Sequence, residues 1–173
     1  MESGVPLAPP AAADHGLSVR RRLLDERGNA LPAGAAVHSG DLIQVELSIS
    51  SDTALDNLVV EDLLPAGVEI ENPRLNTSAA QAAERPDKDG SVFQDARVDM
   101  RDDRLVVMGR LNRPGTGTYV YTVRAITPGT FVLPPVRGEC MYDIGINSIS
   151  QSARLQVLPA GGRGLANVEA APQ

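Results

Sequence analysis

The densest group of chemically capable side chains in this 173-residue sequence is Asp95, Asp99, Asp102 and Asp103, interleaved with Arg97, Arg101 and Arg104. Carboxylates this close together are raw material for a calcium site. An EF-hand, however, alternates its ligands through a loop with a central glycine and a closing glutamate, and neither stands here. The cluster reads instead as a solvated strand end with Asp102-Asp103 as a turn, its acids and arginines pairing loosely at ~0–1 kcal/mol per pair. A nucleophile needs a base within reach, and the two histidines are His15, close to the start, and His38, ahead of a Gly-Asp turn; neither context specifies a triad. Cys140 is the single thiol, so it can form neither an internal disulfide nor a cysteine zinc cluster. A neighbouring positive charge would activate it, whereas Glu139 works the other way, and a small apolar residue at a loop or strand edge is the plainer reading. Arg20, Arg21 and Arg22 lie on an expected strand, where alternation divides them between two faces. No glycine-rich turn joins a strand to a helix as a phosphate cradle requires. The residues therefore point to no catalytic set, no metal site and no cofactor, and to a chain that is not an enzyme.

One group remains. Pro134 and Pro135 cannot donate to a β-ladder, so the chain leaves its sheet there, and VRGECMYDIGIN, from 136 to 147, reads as a loop carrying Met141 and Tyr142. Soft or amphipathic side chains on a loop either plug the end of a domain or meet a partner. Local packing is the commoner use.

The elements that must hold these residues are strands. Ile43, Val45, Leu47 and Ile49 alternate with Gln44, Glu46 and Ser48, the period of a strand with one buried face. Tyr119, Tyr121, Val123 and Ala125 repeat it, between Arg113-Pro114-Gly115-Thr116 and Thr127-Pro128-Gly129-Thr130. Each bracket places Pro then Gly at the corners of a type II turn and predicts a hairpin-like connection. Further strands are expected at 17–24, 58–63, 68–70, 104–111, 131–133 and 149–157. About seven to nine short antiparallel strands make an all-β class of the immunoglobulin or fibronectin-like sandwich type. Ser78 and Gln81 form a capping box that predicts a short helix from Ser78 to Glu84 in a connecting loop, stopped by Pro86.

The expected domain runs from 16 to 158, after a flexible Pro- and Ala-rich lead-in over 1–15 and before a flexible tail over 159–173. A chain of this length buries about 70% of its unfolded surface as one domain. The net charge of −6 argues against a nucleic-acid surface. No run reaches the roughly eighteen apolar residues of a membrane span. The opening MESGVPLAPP lacks the charged start and apolar centre of a secretion signal, so if the protein works outside the cytoplasm the sequence is expected to be either a piece of a longer precursor or a chain with its signal removed.

Leu-Pro-Ala-Gly occurs at 31, 64 and 158, with unequal spacing, so it reads as one turn chemistry used three times and not as a repeat. The second copy lies in VVEDLLPAGVEIENPRL, from 59 to 75, a strand, turn and strand with Pro65 at the first corner and Gly67 at the last position.

Read together, VVEDLLPAGVEIENPRL, RDDRLVVMGRL and YTVRAITPGTFVLPPVRGECMYD resemble the C-terminal macroglobulin-like domain of bacterial α2-macroglobulins, over about residues 17 to 157. DxLPAG alone is also similar to surface-repeat sandwich domains, so a spacer or protein-binding module is the alternative. The resemblance implies the last module of a periplasmic protease-trapping inhibitor, anchored as a lipoprotein at the inner membrane. Its partners would be neighbouring domains of the parent and, indirectly, trapped proteases; the chain itself would be monomeric and would not insert in the membrane. Family members with a thioester carry it in a Cys-x-Glu-Gln motif on another domain, and Cys140 is followed instead by Met141-Tyr142-Asp143. Met141 and Tyr142 match the Met-Tyr pair that shields the thioester in the family.

Overall fold

The computed structural model describes residues 11–32, 34–71 and 92–161. The helix expected from Ser78 to Glu84 lies outside them, as do most of the lead-in and tail. Within them all regular structure is β, in three sheets. The six-stranded sheet runs in the order β1 (Ala13–His15), β12 (Asp143–Ile149), β11 (Arg137–Cys140), β5 (Leu55–Leu63), β8 (Arg104–Leu111) and β7 (Phe93–Met100). The four-stranded sheet is β2 (Ser18–Leu24), β4 (Leu42–Ser51), β9 (Gly115–Ala125) and β6 (Val68–Ile70). The last sheet is β10 (Gly129–Leu133), β13 (Ala153–Leu158) and β3 (Ala36–His38), with β13 and β3 parallel and every other pairing antiparallel.

Alternation became burial where it was cleanest. Along β4, Ile43, Val45, Leu47 and Ile49 are at most 2% exposed while their neighbours are half-exposed. They join Leu58, Val60, Leu105 and Val107 from the facing sheet, and Leu155 and Val157 from the third, in one apolar cluster. Each such side chain contributes roughly 1.5–3 kcal/mol by leaving water. The expected sandwich is the observed one.

Four details differ from the sequence expectation. The strands number thirteen among the described residues, because β1, β3 and β11 are too short to show a period and β7 and β12 do not alternate cleanly. The chain is already paired at Ala13–His15, opposite Asn147–Ile149, inside the stretch assigned to the lead-in. The Pro-Gly corners do not make hairpins: Gly115 and Gly129 take the left-handed φ values of 139° and 152°, but β9 pairs with β4 and β6 in a sheet different from those of β8 and β10. These turns carry the chain between layers, a choice that turn chemistry does not encode. The Leu-Pro-Ala-Gly turn is framed one residue later than expected, with Val68 N–H donating to the Pro65 carbonyl at 3.2 Å. Gly67 does not serve there for its φ. Its missing side chain admits the Phe131 ring, which would lie 2.2 Å from any Cβ at that position.

Candidate functional site

The segment expected as a loop after Pro134-Pro135 is a hairpin. Its strands are β11 and β12, and Met141-Tyr142 form the two-residue turn between them. The ladder starts regularly with Arg137 opposite Ile149 and Glu139 opposite Asn147, then jumps to Cys140 opposite Asp143. Residues 144 to 146 are thus extra on the β12 side, a bulge of the kind that re-aims side chains at a sheet rim. Two bonds fix it: Gly145 N–H donates to Asp143 Oδ1 (3.0 Å) and Asn147 Nδ2 donates to the Ile144 carbonyl (3.0 Å). From the other flank Met141 N–H donates to the Asn57 carbonyl (3.0 Å), and the Cys140 thiol to the Asp56 carbonyl (3.1 Å).

This frame holds three large apolar side chains in solvent. Met141 is 54% exposed, Tyr142 82% and Ile144 92%, the last two being the most exposed large apolar residues among those described. The sequence left plug or partner open and made the plug the commoner case; the tip plugs nothing in its own domain. Ile144 was not anticipated. Its parity matches Ile146, which packs on the core, and only the bulge turns it outward.

Of the other chemically capable residues, His15 reaches the Asn147 side chain that fixes the bulge, and the acidic cluster and His38 stand apart from the tip. Asp102-Asp103 form the turn between β7 and β8, and Arg104 pairs with Asp103 and with Glu61 of β5 (2.7 Å each). His15 sits on β1 with Nδ1 3.2 Å from Asn147 Oδ1. His38 is on β3, 3.8 Å from Asp41. Among the described residues no group of three His, Cys, Asp or Glu side chains converges as a metal site.

The Arg20–Arg22 run divides between faces as alternation requires, and Arg21 is the inward one. Its guanidinium pairs with Asp62, which is fully buried, and donates to the Pro134 carbonyl (2.6 Å). Tyr121 OH donates to the other carboxylate oxygen (2.6 Å). Burial drives the Asp62 pKa up, against the pull of Arg21 and Tyr121, and drives the Tyr121 hydroxyl well up as well. The signal was present in the sequence: Leu58, Val60 and Asp62 share one parity, as do Val19 and Arg21. The network ties β2 and β9 of one sheet to β5 of the other and to the point where the chain turns toward the hairpin.

A second polar seam secures the hairpin's outer edge. Ser148 Oγ donates to Asp14 Oδ1 (2.7 Å) and accepts from Val19 N–H (2.9 Å), while Asp14 also pairs with Arg20. The Arg20 hydrogen bond, above all, holds the Asp14 carboxyl down at about 2. A carboxylate depressed on folding adds stability that is complete above its unfolded pKa near 4 and is lost as pH falls toward 2. Both partners are partly exposed, so screening limits the contribution to ~0–1 kcal/mol. Amide protection of β1, corrected for intrinsic exchange, is expected to fall by a few-fold between pH 4 and pH 2. In Asp14→Asn it should be low already at neutral pH and flat over that range; equal profiles would contradict the assignment.

The fold is an immunoglobulin-like sandwich of the macroglobulin-like class, as its likeness to solved α2-macroglobulin structures shows, and it carries an outward apolar hairpin tip. The chain belongs to the family of bacterial α2-macroglobulin MG10 domains, which matches residues 16–143. It is 31% identical over 146 residues to α2-macroglobulin of Escherichia coli and 33% identical over 149 residues to that of Xylella fastidiosa, each match covering 81% of this chain and 9% of the relative. The chain thus spans about a tenth of the length of these curated relatives. Among solved structures, Salmonella α2-macroglobulin reacted with methylamine has a TM-score of 0.73 at 32% identity, over 90% of this chain and 10% of that one. An Escherichia coli α2-macroglobulin structure running from domain MG7 to the C-terminus gives 0.73 at 28%, over 90% of this chain and 25% of that one.

Proposed function

We propose that this domain is a non-catalytic module of a bacterial α2-macroglobulin, a periplasmic protease-trapping inhibitor tethered to the inner membrane as a lipoprotein. Its hairpin tip covers a thioester held by a neighbouring domain. The observation that carries the reading is the exposure of Met141 and Tyr142 on a tip held by backbone and side-chain hydrogen bonds. A large exposed tyrosine backed by a methionine is suited to an interface, where one end is apolar and the hydroxyl can take a partner. Apolar bulk over a reactive acyl group keeps out the water that would hydrolyse it before a protease is trapped. Covalent capture falls to another domain, since Cys140 does not begin a Cys-x-Glu-Gln motif.

The test is Tyr142→Ala in the full-length parent. Spontaneous thioester loss, followed as free thiol release, is expected to rise roughly tenfold as water gains access. The stability of this domain should stay within about 0.5 kcal/mol of wild type, because the side chain is already in solvent. An unchanged rate of thiol release overturns the shielding role and leaves the tip as a docking surface for some other partner.

A further inference from the structure

The base of the tip contains the one non-glycine residue with a left-handed backbone among those described, Asn57 at φ 55°. It lies in a bulge of β5, where Leu55 and Leu58 oppose Leu111 and Gly109 and one additional residue is accommodated. The β5–β11 ladder runs in register from Arg137–Glu61 to Cys140–Leu58. The Met141–Asn57 bond extends it by one rung beyond β11, so the last rung that ties the hairpin to β5 is made to the left-handed residue. The Asp56 carbonyl beside it takes the Cys140 thiol. Both residues gripping the tip are thus in the bulge, and both side chains there are exposed, so packing does not explain the conformation. Asparagine tolerates this region better than other non-glycine residues, and β-branched residues are outliers in it. Strained backbone next to an exposed recognition element is characteristic of sites whose pose is held in advance.

We infer that Asn57 is a positioning residue: its left-handed conformation aims its carbonyl at Met141 N–H and so sets the pose in which Met141 and Tyr142 meet the neighbouring domain. The inference rests on the proposed function for its consequence in the parent, but its geometric part stands on this chain alone. Asn57→Gly retains the conformation and the carbonyl; Asn57→Ala strains it; Asn57→Val makes it an outlier.

The first measurement is amide exchange in the 173-residue chain. Met141 N–H is expected to be protected in the wild type and in Asn57→Gly, and to exchange about tenfold faster or more in Asn57→Val, with Asn57→Ala between them. The Val60 and Glu139 amides, farther along the same strands, should keep their protection, which separates loss of the rung from general unfolding. The second measurement is thiol release in the parent, where Asn57→Val should approach the Tyr142→Ala rate while Asn57→Gly stays at the wild-type rate. Unchanged Met141 exchange in Asn57→Val overturns the inference, and so does wild-type thiol release from Asn57→Val in a parent that responds to Tyr142→Ala. A parent indifferent to Tyr142→Ala overturns the shielding role instead, and the exchange series then decides the positioning claim by itself.

Discussion

Asp62→Ala is expected to destabilise the domain by ~3–5 kcal/mol, measured by urea denaturation. Removing the carboxylate leaves the Arg21 guanidinium, 7% exposed at the side chain, without its counter-charge, and deprives the Tyr121 hydroxyl of its acceptor. Small domains are stable by about 5–15 kcal/mol, so the loss would take a large fraction of the total. The cost comes from the stranded partners more than from the worth of the pair, because two charges taken out of water recover little beyond their desolvation. Arg21→Met, Asp62→Leu and Tyr121→Phe combined should therefore cost far less than Asp62→Ala alone. A loss under about 1 kcal/mol for Asp62→Ala, or a triple variant worse than the single one, would contradict this account. The network has a functional corollary. Asp62 lies on the strand that carries the Asp56–Asn57 bulge, and Arg21 also holds the Pro134 carbonyl ahead of β11, so both strands that present the tip are referred to one buried anchor.

Gly117→Val is expected to cost ~3 kcal/mol or more. A Cβ at 117 would lie 2.2 Å from Phe93 Cβ, 2.6 Å from its backbone nitrogen and 2.9 Å from its Cα. Two of these are main-chain atoms and cannot swing aside, so β9 and β7 must separate. Phe93 also leans on Gly109, where an added Cβ would meet its ring at 2.6 Å. Two glycines from two sheets thus form the seat of one aromatic side chain, in a protein that has two phenylalanines and no tryptophan. Loss of β7 amide protection should precede global unfolding in Gly117→Val. Gly161→Ala is the control, since nothing lies within 4 Å of its added methyl, and its stability should match wild type. A Gly117→Val domain within about 1 kcal/mol of wild type would mean that β7 is not seated as described.

Much of the fold was legible because its strongest strands are one-sided. β4 and β9 each bury one face, so period-two alternation maps directly onto the core. The turn at Asp102-Asp103 and the exit at Pro134-Pro135 were equally readable, the first from polar punctuation and the second from missing N–H donors. Strand partners were not. Sequence neighbours β5 and β6, or β8 and β9, belong to different sheets, and a Pro-Gly corner turns the chain without naming the layer it enters. The candidate site was half legible. Met141 and Tyr142 stood out as residue types, but Ile144 shares the parity of a residue packed on the core, and Asn57 looks like any polar loop residue.

By itself, the sequence determined the all-β class, the inward faces of the main strands, the likeness to a macroglobulin-like domain and the presence of a Met-Tyr pair beyond a double proline. The likeness rests on the resemblance of three separated motifs to a known family; the rest follow from local rules: alternation, imino-acid geometry and residue type. Tertiary structure alone decided that the pair is presented to solvent and not folded inward, that a three-residue bulge adds Ile144 beside it, and that Arg21 and Asp62, forty-one positions apart, neutralise each other in the core. The physical reason is common to all three. Each depends on which backbone or charge comes to lie opposite at long range, and neither a residue's type nor its period records its partner.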